Sequence, residues 1–112
     1  MNQGEIWLVN LEPTIGAEMS KSRPALIVND NGLGKLPLKI IVPITSWKEH
    51  YSIAPWMVRI EPTEVTGLSK TSSIDCFQIR SISQNRFVEK IGTVTSDKLN
   101  EVQEGIQRVI GV

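Results

Sequence analysis

The segment Pro13–Pro24, PTIGAEMSKSRP, holds the densest set of groups in this chain that could act on a substrate. Arg23 closes it, directly before Pro24. A proline restrains the residue before it to extended backbone. The guanidinium therefore leaves a polar loop at a defined point, where an apolar run begins. A planar fork of donors held in that way suits a phosphate. Lys21 lies two residues earlier, and Glu18 is the nearest carboxylate. The plainer reading of this segment is a hairpin loop with solvated charges. The junction at Arg23 and Pro24 argues against it.

Other catalytic sets are missing. With one histidine, His50, and one cysteine, Cys76, the familiar zinc spacings cannot be built, and no metal or cofactor is expected. There is no phosphate-binding loop, dinucleotide fingerprint or nucleophile elbow. His50 reads as a surface histidine in a polar loop. Cys76 lies in an apolar stretch and reads as an inert buried thiol.

Net charge is zero, with 12 basic and 12 acidic residues, which by itself weighs against a nucleic-acid binder. The distribution is uneven. From Met19 to Arg59 there are six bases (Lys21, Arg23, Lys35, Lys39, Lys48, Arg59) against two acids (Asp30, Glu49). A locally basic face on a neutral chain is compatible with this.

The elements that must position these groups read as follows. Ile6–Leu11, Pro24–Val28, Leu38–Ile44 and Trp56–Ile60 are short apolar runs bounded by Gly, Pro and Asn, which predicts strands. Pro43 suggests an edge or a strand end. Ser73–Ile82 predicts one long strand with two distinct faces, and Phe87–Val94 a further strand interrupted at Gly92. Leu99, Val102, Ile106, Val109 and Ile110 recur at helical spacing, with Ser96 as cap and Gly111 as stop. The expectation is one domain over residues 1–112, mainly β, with a curved antiparallel sheet or barrel and one C-terminal helix. No apolar run reaches the ~20 residues that span a bilayer. The opening MNQGEIW shows no secretion signal, so a cytoplasmic setting is expected.

Three blocks carry a resemblance: Gly4-Glu5-Ile6-Trp7-Leu8-Val9, then Pro13-x-x-Gly16-x-Glu18, then Lys21-x-Arg23-Pro24. With Pro43-Ile44-Thr45-Ser46, Gln78-Ile79-Arg80 and Ile91-Gly92, they resemble the MazF/PemK family of toxins from bacterial toxin–antitoxin pairs, in order along nearly the whole chain. The resemblance implies a small SH3-like antiparallel β-barrel with a C-terminal helix, and a homodimer. It implies an endoribonuclease that cuts single-stranded RNA at short sequences, without ribosome or metal. The RNA's own 2′-hydroxyl attacks, leaving 2′,3′-cyclic phosphate and 5′-hydroxyl ends. It also implies an inhibitory antitoxin partner.

By the same resemblance, Arg23 and Thr45 match the family's catalytic positions. Arg23 would stabilise the charged phosphorane, while proton transfer sits uneasily on a guanidinium. Thr45 would donate to a phosphoryl oxygen, with Ser46 a second donor. Lys21, Lys48 and Arg80 could meet phosphates. Trp47, Tyr51 and Gln78 could read bases by stacking or hydrogen bonds. Glu18 is either a reserve carboxylate or a loop brace. One branch of the family uses an Arg–Asp pair in an Arg-Cys-Asp-Gln stretch. Here that stretch reads Asp75-Cys76-Phe77-Gln78, so the arrangement resembles the MazF side. Two other readings compete: a non-enzymatic DNA gyrase inhibitor of the CcdB type, which shares the fold, and a plain β-barrel binding module.

Overall fold

The computed structural model describes all 112 residues. Seven strands precede one helix: β1 (Glu5–Asn10), β2 (Ser22–Ile27), β3 (Leu38–Ser46), β4 (Met57–Ile60), β5 (Ser72–Asp75), β6 (Arg80–Ser83), β7 (Phe87–Thr93) and α1 (Ser96–Ile110). They form one antiparallel sheet in the order β4-β5-β3-β2-β1-β7, with β6 also paired to β3. No helix is long and apolar enough to cross a membrane.

The apolar runs are continuous because both faces of the central strands are covered. Leu26 and Val42 point into one cluster with Ile6, Ile44, Ile74 and Val102 of α1. Their neighbours Ala25, Ile27 and Ile41 point the other way, into a second cluster with Val9, Leu11 and Ile82. Trp7 and Met19 pack against that second cluster, and Trp56 against the first.

The long central strand β3 serves two partners on one edge. Its residues Leu38–Ile41 pair with β6, and Ile44–Ser46 pair with β5. Pro43 falls in the gap between them, where that ladder is already interrupted, and it is buried rather than placed at a sheet edge. Its missing N–H is therefore tolerated in the middle of the sheet.

The stretch expected as one strand, Ser73–Ile82, is broken. A 3₁₀ turn at Cys76–Gln78 separates β5 from β6. The Asp75 carboxylate causes it by accepting the Phe77 backbone N–H at 3.0 Å, which turns the chain from one β3 partner stretch to the other. β7 runs through Gly92 to Thr93, but its pairing with β1 slips there, from Ile6 opposite Gly92 to Trp7 opposite Lys90. Gly92 sits where that strand crosses the 65–67 turn, and any Cβ there would strike the carbonyls of Val65 and Thr66. Gly67 meets the Ile91 carbonyl in the same way. The cap of α1 is Thr95, one residue before the expected Ser96, with its Oγ1 accepting the Lys98 N–H at 3.2 Å. The helix ends at Gly111, as expected.

Candidate active site

The register of β2 on β3 builds the site. Ala25 is opposite Pro43, Leu26 opposite Val42 and Ile27 opposite Ile41. Continued by two residues, the same register sets Arg23 against Thr45. Backbone pairing to β3 has ended there, and the Arg23 Nη1 donates to Thr45 Oγ1 at 3.3 Å. Its Nε donates to the Ser20 carbonyl at 2.9 Å. A guanidinium carries five N–H donors, so two are committed and three remain for a ligand. Thr45 accepts from the arginine, which leaves its own proton free to point outward.

Above this pair lies a cavity of about 370 Å³. Its charged lining residues are Lys21, Arg23 and Lys70, with no carboxylate among them. Five hydroxyls join them, from Ser22, Thr45, Ser46, Ser69 and Ser72. Three cations and five hydroxyls around one hollow form an anion-binding surface on a chain of zero net charge.

Lys21 is held at φ +66°, uncommon for a non-glycine residue. Two contacts impose it: its N–H donates to Glu12 Oε1 at 2.7 Å, and its carbonyl accepts the Leu11 N–H at 3.1 Å. The loop thus returns to β2 in a fixed direction. Arg86 ties its far end by donating to the Asn10 and Glu12 carbonyls.

The remaining sequence candidates divide. Glu18, Gln78 and Arg80 line a second hollow, also about 370 Å³, on the other side of the loop with Met19 and Phe77. Glu18 accepts the Ile15 N–H at 2.6 Å and braces the loop. Gln78 Oε1 accepts the Met19 N–H at 2.7 Å. Trp47 and Lys48 line neither hollow. Trp47 is half-buried, its ring covered by Arg59 at 5.2 Å and met edge-on by Tyr51 at 5.9 Å. Its indole N–H is buried without a partner. His50 is exposed against Tyr51.

Sequence reading missed Lys70, Ser69 and Ser72. They reach the cavity because β3 pairs with β5, which puts Ser73 beside Thr45 and Ser72 beside Ser46. The available signal was the polar run Ser69-Lys70-Thr71-Ser72-Ser73 leading into a strand.

Two buried titratable groups lie near the site's supports. Asp75 is 4% exposed, and burial pushes its carboxyl up against the lowering effect of hydrogen bonds from Phe77 and Gln78. Burial, with Asp75 alongside, pushes the Cys76 thiol up to about 12, so it stays protonated and is no nucleophile. No cluster of three His, Cys, Asp or Glu side chains that could hold a metal ion is present.

Comparison with known proteins gives a concordant result. The family described as PemK-like, MazF-like toxin of type II toxin-antitoxin system matches residues 2–110. Endoribonuclease MazF9 of Mycobacterium tuberculosis is 31% identical over 113 residues, covering 96% of this chain and 93% of that protein. The crystal structure of MazF from Deinococcus radiodurans superposes with a TM-score of 0.81 at 25% identity, covering 100% of this chain and 97% of that one. A MazE-MazF crystal structure (Form-II) from the same organism gives 0.75 at 25% identity, covering 100% and 96%. The chain therefore belongs to the PemK-like, MazF-like toxin family of type II toxin–antitoxin systems.

Proposed function

We propose that residues 1–112 form one toxin domain that acts as an endoribonuclease on single-stranded RNA, with Arg23 and Thr45 at the scissile phosphate. The cavity over that pair carries the reading, because it gathers Lys21, Arg23 and Lys70 with no carboxylate. In the reaction the RNA 2′-oxygen bonds to phosphorus and the bond to the 5′-oxygen breaks. The 2′-hydroxyl loses its proton and the departing 5′-oxygen gains one, leaving a 2′,3′-cyclic phosphate and a 5′-hydroxyl. The phosphorane between carries extra negative charge on its oxygens. Arg23, with three N–H donors uncommitted, and Thr45 both line the cavity, which supports their holding that charge with little reorganisation. Lys21 and Lys70 hold neighbouring phosphates.

The same reading gives the chain a cognate antitoxin, as in the MazE-MazF structure, a homodimeric assembly and a cytoplasmic setting. The antitoxin would place a flexible acidic or apolar segment over the basic cavity.

The test is incubation of purified protein with single-stranded RNA in EDTA. Cleavage to 2′,3′-cyclic phosphate ends is expected, and Arg23→Ala should abolish it. RNA left intact at high protein concentration would overturn the reading, and stalling of DNA gyrase by the same sample would favour the CcdB-type alternative.

A further inference from the structure

Gln78 is separated from the Arg23–Thr45 pair by the 12–21 loop, yet both ends of its amide are occupied. Its Oε1 accepts the Met19 N–H at 2.7 Å, across 59 residues of sequence. Its Nε2 donates to Asp75 Oδ2 at 3.3 Å. The other Asp75 oxygen is held by the Phe77 N–H at 3.0 Å, and Asp75 is 4% exposed. The amide orientation is therefore dictated from both sides. A backbone N–H can only face the oxygen, and the carboxylate can only face the nitrogen.

Met19 is followed directly by Ser20, whose carbonyl accepts from Arg23 Nε at 2.9 Å. One short stretch of loop backbone thus carries the Gln78 contact at Met19 and the Arg23 contact at Ser20. The Met19 side chain also packs on the second core cluster, which resists sliding of that stretch. The chain of contacts runs from Asp75 through Gln78 and the Met19–Ser20 backbone to Arg23, and ends on Thr45.

We infer that Gln78, oriented by the buried Asp75, is a positioning residue that fixes the loop backbone holding the Arg23 guanidinium, and is not a reader of RNA bases. One N–H and one oxygen lone pair of the amide stay uncommitted, but turning it to present both edges to a base would break the bonds to Met19 and Asp75. Held in place, it restricts the guanidinium to one approach, and displacement by about 1 Å in such a group costs up to roughly a hundredfold in rate. The kinetic part of this inference rests on the nuclease reading; the positioning part does not.

The experiment follows the Arg23 Nε–H resonance by ¹⁵N–¹H NMR in the full chain, alongside RNA cleavage. Gln78→Ala should speed solvent exchange of that proton. It should lower kcat by about tenfold or more, with KM little changed and the same cleavage sites by 5′-end sequencing. Asp75→Asn is the isosteric second variant, for use if Gln78→Ala unfolds. It presents an amide donor to the Gln78 nitrogen and should loosen the same proton. The double variant should be no worse than Gln78→Ala alone, because both act through one contact. An Arg23 Nε–H exchange rate unchanged in both variants overturns the inference. So does a shifted cleavage motif at unchanged kcat, which would make Gln78 a base reader. If wild-type protein cuts no RNA, the exchange measurement still decides the positioning role.

Discussion

Arg23 and Thr45 face each other two residues beyond the last paired position of β2 and β3, Ala25 with Pro43, and their side chains meet at 3.3 Å after backbone pairing has stopped. The sheet thus supplies the register without filling the space. Pro24 has no N–H to continue the ladder toward β3, so the gap between the strands becomes the floor of the cavity.

Thr45→Val keeps the branched shape and removes the hydroxyl. It strips Arg23 of its Nη1 acceptor and removes a donor to the phosphoryl oxygen. Single-turnover cleavage should slow by about a hundredfold or more, while Thr45→Ser should retain most of the rate. Equal rates for the two variants would detach Thr45 from the chemistry.

Lys70 lines the cavity without touching the Arg23–Thr45 pair. Lys70→Ala should weaken RNA binding and leave kcat nearly intact. The slope of log affinity against log salt should become shallower by about 0.7, the value for one phosphate contact on single strands. Titrating a non-cleavable RNA at several salt concentrations measures it.

Gly105 lies in the middle of α1, where alanine is normally favoured by about 1 kcal/mol. Here a Cβ would sit 2.8 Å from the Cys76 sulfur. Gly105→Ala should therefore destabilise the protein, by about 1–3 kcal/mol from overpacking. Urea denaturation decides the sign.

Acid stability should depend on Glu5. Burial opposes its ionisation. Hydrogen bonds from the Trp7 indole and the Asn2 N–H, with Lys90, outweigh that and hold its carboxyl at about 2, from an ordinary 4.5. Between those values the unfolded chain binds the proton and the folded chain does not, so this contribution is full above about 4.5 and is lost as pH falls toward 2. Glu5→Gln should flatten that decline, by an amount on the order of 1–2 kcal/mol after allowance for solvent screening. Asp75 works in the opposite sense. Its raised carboxyl makes folding less favourable as pH climbs through the ordinary carboxylate range, so Asp75→Asn should remove that pH dependence. Denaturation midpoints from pH 2 to 6 separate the two.

Much of this architecture was legible in the residues. Ile6–Leu11, Pro24–Val28, Leu38–Ile44 and Trp56–Ile60 fall within two residues of β1 to β4, because each is an apolar run closed by turn-forming neighbours. Arg23 before Pro24 was legible for a local reason, and the structure puts it in the wall of the candidate cavity beside Thr45. The break at Cys76–Gln78 was not legible, since Cys, Phe and Gln carry no turn signature and the Asp75 carboxylate makes the turn through a backbone contact. Lys70 was missed because only the pairing of β3 with β5 brings it to Arg23. The sequence makes Gln78 a candidate base reader; its bonds to Asp75 and to Met19, 59 positions away, and its place in the second hollow were not legible.

Gly67 and Gly92 let the 65–67 turn and β7 touch main chain to main chain, and Thr93 adds a backbone bond to the Val65 carbonyl at 2.9 Å. The cavity wall that carries Leu68, Ser69 and Lys70 is therefore anchored by atoms every residue shares. Leu68 packs against the core, while the exposed Ser69 and Lys70 can be exchanged with the wall staying put. On the proposed nuclease reading, that makes residues 69 and 70 the natural place to retune how RNA is held, by engineering or by drift, without disturbing the Arg23–Thr45 pair opposite.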